Sequence, residues 1–220
     1  LVFFEKHGFK NLISRFKKKQ DDSTDKEISA AKSQKYHVIQ TLKDLKSLEN
    51  KIQKKKLVSV DTETNSLNAN FANLVGISLS INENEAYYLP FKHNLTSENK
   101  YKNLNLSECL PILKNFLEEQ SVAKIGHNIK KFDIPALKKI YSFSPKGEIF
   151  DTLEYARRLW PKIIENDNEE NIIPIELRGR HSLKAWGYRL QILKGDFAEK
   201  TDWKEWSPEM SKYCKQDVKI

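Results

Sequence analysis

Apolar residues return every three or four positions at Leu42, Leu45, Leu48 and Ile52, directly after Thr41. That spacing predicts a helix over 41–53 with Thr41 as its cap. A short buried strand follows at 57–61, and it runs straight into Asp61-Thr62-Glu63. Before the helix, 36–40 reads as a strand. After it, 74–81 alternates and is rich in β-branched residues, and 86–90 pairs back on it through a turn at 82–85. Further on, 111–117 reads as a helix and 122–126 as a strand. A helix over 128–141 follows, then a Pro145-Lys146-Gly147 turn, and 149–160 begins extended and becomes helical. Residues 161–179 lack apolar periodicity and read as a long polar insertion. Helices are predicted again at 181–190 and 208–220. Strands first, then strands alternating with helices, predict an α/β sandwich around a mixed sheet.

The N-terminal part reads differently. Leu1, Phe4, Phe9, Leu12, Ile13 and Phe16 lie on roughly one helical face, interrupted by Gly8, and 17–33 is a charged linker. We therefore expect 1–34 to be a linker and helical segment and 35–220 to be the folded domain. Of the +8 net charge, all is N-terminal: residues 1–56 carry 15 Lys/Arg against 7 Asp/Glu, and residues 57–220 carry 23 of each. The basic balance thus says little about the domain itself. No apolar run is long enough to span a membrane, and the sequence shows no basic n-region followed by an apolar h-region. Cys109 and Cys214 fit no metal spacing, so a reducing intracellular compartment is the default and both thiols are expected to be inert. The chain begins at Leu1 and stops inside a predicted helix, and is expected to be a piece of a longer protein.

Candidate chemistry enters at Asp61 and Glu63. Side chains alternate along a strand, so these carboxylates share one face. Like charges that close call for a proton or a hard cation between them, although two solvated acids at a strand end would look the same. Asp133, alone, reads as a solvated helix charge. Tyr213 and Asp217 share a helix face at i, i+4, a common pairing. Taken in order, the three are more specific. Asp-x-Glu, then Asn128-x3-Phe132-Asp133, then Tyr213-x3-Asp217 resemble the motifs of the DEDD superfamily of 3′–5′ exonucleases, in the subclass with Tyr before the last Asp. More narrowly, Asp61–Leu67 (DTETNSL) followed by Ala72–Gly76 (ANLVG) is similar to the proofreading domain of family A DNA polymerases, the DNA polymerase I type. His181–Leu190 (HSLKAWGYRL) with Lys194-Gly195 is similar to the phage-type members. Residues 1–16 look like the segment that follows a 5′-nuclease region. Three departures stand out. His127 occupies a place where bacterial members commonly have Gln. One extra residue separates Asn128 from the aromatic, as in the phage type. The 161–179 segment has no evident bacterial counterpart.

The resemblance implies a ribonuclease H-like fold and metal-dependent release of nucleoside monophosphates from DNA 3′ ends. It implies two Mg²⁺ ions, roughly 3.5–4 Å apart, with Mn²⁺ as a substitute. Asp61, Glu63 and Asp217 would hold the ion that activates water, and Asp61 would also bridge to the second ion, which Asp133 supports partly through waters. Tyr213 would orient the attacking water, since a phenol stays protonated at neutral pH. Thr62, Leu67, His127, Asn128, Phe197 and Arg180 are candidate strand contacts. All but Thr62 have a plain alternative: core packing for Leu67, core or surface packing for Phe197, a helix cap for Asn128, a strand end for His127, and a solvated loop charge for Arg180 and its neighbour Arg178. The expected partners are single-stranded or frayed DNA 3′ ends and a polymerase region of the same longer chain. The protein is expected to be a monomer, with no membrane, in the cytoplasm of a bacterial or phage-infected cell or in an organelle. The rival readings are a stand-alone DEDD exonuclease acting on RNA or in repair, and a catalytically silent domain that binds DNA or braces a polymerase.

Overall fold

The computed structural model describes residues 35–66, 68–94, 102–170, 172–192, 214, 217 and 218. The predicted segment 1–34, Leu67, Phe197, Tyr213 and most of the predicted 208–220 helix lie outside the described residues. Helix α1 (Leu42–Lys55) forms where its apolar spacing predicts. Thr41 caps it by accepting the Asp44 N–H at 3.1 Å, and Lys56 ends it with a left-handed backbone. Leu45, Leu48 and Ile52 are buried on its inner face, each worth about 1.5–3 kcal/mol when withdrawn from water. Replacing Leu48 by Ala would cost about 2–5 kcal/mol.

Six strands form one mixed sheet in the order β1-β4-β3-β2-β5-β6. They are β1 (Lys35–Val38), β2 (Leu57–Thr64), β3 (Leu74–Asn82), β4 (Glu85–Pro90), β5 (Ala123–Gly126) and β6 (Ile149–Asp151). β2, β3 and β4 pair antiparallel, β1 runs parallel to β4, and β5 and β6 run parallel to β2. Along β2, Val58, Val60 and Thr62 are buried while Ser59, Asp61 and Glu63 on the other face are half-buried. The main core gathers α1, β3 and α2 (Leu106–Leu117), with Leu113, Phe116 and Leu117 sealed from solvent.

Three elements differ from expectation. Helix α2 starts one turn before Pro111, because the Asn105 side chain accepts the Ser107 N–H and caps it there. Helix α3 spans Asp133–Tyr141 and not 128–141, so Asp133 opens the helix instead of lying in its second turn. Asn128 has φ 63° and cannot start a helix. The segment read as a polar insertion contains helix α5 (Ile163–Glu170) and a single 3₁₀ turn at Ile175–Leu177. α4 (Thr152–Leu159) and α6 (Leu183–Arg189) follow the pattern, α6 capped by Ser182.

Candidate active site

β2 carries the centre of the site. Its alternation sends Asp61 and Glu63 to the same face, as the spacing requires. Cys214 and Asp217, both helical, approach that face. One ligating oxygen from each of Asp61, Glu63 and Asp217 lies within 4.8 Å of the others. Glu63 Oε1 and Asp217 Oδ1 are shielded from solvent. Three hard carboxylate donors converging at this separation suit Mg²⁺ or Mn²⁺, which take oxygen ligands.

Thr62 points the other way. Pairing of β2 with β5 ends at Ser59, so the Thr62 backbone N–H is available beyond it. Asp133 takes that N–H at 2.9 Å and the Thr62 hydroxyl at 2.5 Å on the same oxygen, Oδ1. The carboxylate is 4 % exposed, and burial pushes it up to about 6 against the pull of these hydrogen bonds. Asp133 is therefore locked beside the three acids through the residue between two of them. Thr62 is buried on the face opposite Asp61, and its bonds to Asp133 hold that carboxylate in place.

His127 lines a cleft of about 250 Å³ together with Asp61, Asp217, Thr152 and Leu183, and its Nδ1 lies 2.9 Å from the Thr152 hydroxyl. Asn128 follows it in a left-handed turn and is not a helix cap. Arg178 is half-buried, and its side chain donates to the Ile173 carbonyl and to Asn168. Arg180 is exposed, and its carbonyl accepts from Arg189.

Two residues stand behind the acids in places that the sequence did not assign to them. Cys214 is fully buried and its thiol donates to Glu63; burial first, and the surrounding acids next, push it well above the ordinary thiol range. It stands three residues before Asp217, on the same helix face, which is the signal that could have found it. Tyr88 of β4 is also sealed, with its hydroxyl 2.8 Å from His93 Nε2. Burial raises its phenol, and the neighbouring Cys214, Glu63 and Asp61 add to that. Gly76, the cross-strand partner of Glu63, makes room for it: a Cβ there would come within 2.0 Å of the Tyr88 hydroxyl.

Comparison with known proteins agrees with this geometry. A family model described as a 3′–5′ exonuclease matches residues 36–220. DNA polymerase I of Borreliella burgdorferi is 33% identical over 177 residues, covering 70% of this chain and 18% of that protein; the chain thus spans less than a fifth of this relative. Among solved structures, Escherichia coli RNase D, an exoribonuclease involved in structured RNA processing, superposes with a TM-score of 0.56 at 16% identity, over 84% of this chain and 41% of that one. Brucella melitensis NrnC with bound Mg²⁺ gives 0.53 at 20% identity, over 85% and 75%. These likenesses establish the ribonuclease H-like fold.

Proposed function

The chain belongs to the 3′–5′ exonuclease family, in its DNA polymerase I type, and on that premise we propose that it removes nucleoside monophosphates from DNA 3′ ends as the proofreading part of a longer polymerase. The observation that carries the reading is the meeting of Asp61, Glu63 and Asp217 at the end of β2. These three would hold the divalent ions, Mg²⁺ with Mn²⁺ as a substitute, and Asp133 would support them from its place against Thr62. Bound ions of this kind activate water and stabilise a leaving oxygen. The chain's own part is to gather the acids, to keep Asp133 fixed, and to shape the cleft at His127. Tyr213 orients the attacking water. Leu67, His127, Asn128, Phe197 and Arg180 contact the strand. The substrate is a single-stranded or frayed 3′ end, the partner is a polymerase region of the same longer chain, the protein acts as a monomer, and the bacterial relative supports a cytoplasmic setting.

A second reading, a stand-alone exonuclease acting on RNA, is favoured by one observation: the fold is shared with an exoribonuclease. Release of mononucleotides from 3′-labelled single-stranded DNA and from matched RNA, with Mg²⁺ and then EDTA, tests both. We expect metal-dependent release with DNA preferred. RNA preference would select the second reading, and release unaffected by EDTA would overturn the metal centre.

A further inference from the structure

Asp151, the last residue of β6, is 1 % exposed and receives four backbone N–H groups. Its Oδ1 accepts from Leu153 at 3.1 Å and Glu154 at 3.4 Å, which is ordinary capping of α4. Two further bonds have nothing to do with that helix. Oδ1 also takes the Asn128 N–H at 3.0 Å, and Oδ2 takes the Lys130 N–H at 3.2 Å. A helix cap alone would leave Oδ2 to water. Here it reaches across to the turn that leaves β5.

That turn is tight. Asn128 adopts φ 63°, a region that costs a non-glycine residue about 1 kcal/mol or more. The reversal tucks Ile129 under Gly126, where a Cβ would lie 2.7 Å from that of Ile129. The Asn128 carbonyl then accepts from Lys131 and Phe132, and Ile129 accepts from Ile134. The result delivers Asp133 onto Thr62. The neighbour of Asp151 works on the other end of the turn. The Thr152 hydroxyl donates to the Gly126 carbonyl at 3.3 Å. With its one proton given there, it accepts from His127 Nδ1, which fixes that ring's tautomer beside the cleft.

We propose that Asp151 and Thr152 form a clamp that positions the 126–133 turn for the reaction, Asp151 setting the Asp133 carboxylate and Thr152 setting the His127 ring. Both are positioning residues, and the proposal rests on the nuclease reading above. It assigns a task to the bonds to Asn128, Lys130 and His127, which capping of α4 does not need.

The test uses the full chain and five variants. Asp151→Ser keeps a capping oxygen for α4 but is too short to hold Lys130. We expect it to melt near the wild type while releasing mononucleotides roughly 10–100-fold more slowly, as loss of support behind a ligand does. In the same protein, amide exchange at Asn128 and Lys130 should rise about 10-fold or more. Combined with Asp133→Asn, the rate should be no lower than for Asp133→Asn alone, because both act through one carboxylate. Thr152→Val should raise KM for single-stranded DNA while kcat changes by less than about 2-fold, and Thr152→Ser should restore it. An Asp151→Ser protein with wild-type rate and exchange, or losses that add to those of Asp133→Asn, would reduce Asp151 to a cap. If the wild type released nothing from DNA or RNA, the nuclease reading would fall, and exchange at Asn128 and Lys130 in Asp151→Ser would by itself decide for or against the clamp.

Discussion

Asp167 and the acid cluster on β2 both withdraw carboxylates from water, and they handle the charge in opposite ways. Asp167 of α5 meets Arg189 of α6 through two parallel bonds, Nε to Oδ1 at 2.9 Å and Nη2 to Oδ2 at 2.7 Å. The two side chains are 3 % and 7 % exposed. Gly179 adds an N–H at 2.9 Å, and the guanidinium lies 4.8 Å over the Trp186 ring. The charge is balanced inside the protein, and the pair holds a segment with little apolar surface in place. At the end of β2, by contrast, Asp61, Glu63 and Asp217 face one another. The groups pressed against them from behind are Cys214 and Tyr88, both held neutral by burial and by these acids. A charge met by its own arginine builds structure. Charges met by one another are arranged for a cation from outside.

Mutation of the cluster should therefore cost activity and spare the fold. Asp61→Ala with Glu63→Ala is expected to lower release of mononucleotides by ~10⁴-fold or more. Thermal melting should stay level or rise, since like-charge repulsion is relieved. A collapse of the fold in step with the rate would place these acids in the same class as Asp167.

Arg189→Leu should do the reverse. It strands a buried carboxylate and is expected to destabilise by about 3–5 kcal/mol, read by urea denaturation. The rate per folded molecule should hold. Adding Asp167→Leu should recover much of the loss, because an apolar pair of similar volume needs no internal charge balance. A large fall in rate per folded molecule would mean that the ion pair serves the site directly.

Mg²⁺ separates the two regions with a smaller signal. At ten times its dissociation constant a ligand that binds only the folded chain stabilises by about 1.4 kcal/mol. That gain should appear in the wild type and in Arg189→Leu, and vanish in Asp61→Ala/Glu63→Ala. Equal gains in all three would put the ion elsewhere.

The same contrast explains what could be read in the sequence. Helix α1 and strand β2 were legible because burial there follows a local period, and the shared face of Asp61 and Glu63 follows from the pleat alone. The three acidic motifs were legible as a resemblance through their order. The 161–179 segment was not. α5 has few apolar residues, and what holds it is an ion pair between positions 22 residues apart, which no local pattern announces. The start of α3 was misplaced for a similar reason. Asn128 has a helix-capping side chain, but its backbone is set by Asp151, 23 residues later. The bond from Thr62 to Asp133 spans 71 residues and is likewise invisible to any local pattern. Where charge or backbone is fixed by a distant partner, periodicity is silent.

The smallest effect is the pH dependence of the internal pair, and its sign follows from the direction of one shift. Arg189, first, and then the Gly179 N–H hold the Asp167 carboxyl below its ordinary 3.8, against the opposing pull of burial. A carboxyl with a lower pKa folded than unfolded binds fewer protons in the folded state. It therefore adds stability at pH values above 3.8, and that part is lost as the pH falls through the folded value. The measurement is urea denaturation of the wild type and of Asp167→Leu/Arg189→Leu across the acid range. The difference in unfolding free energy between the two should stay flat from about pH 8 to pH 5 and then move against the wild type as Asp167 takes up its proton. A difference that keeps its value well below pH 3.8 would mean that packing of Arg189 on Trp186, and not its charge, holds α5 in place.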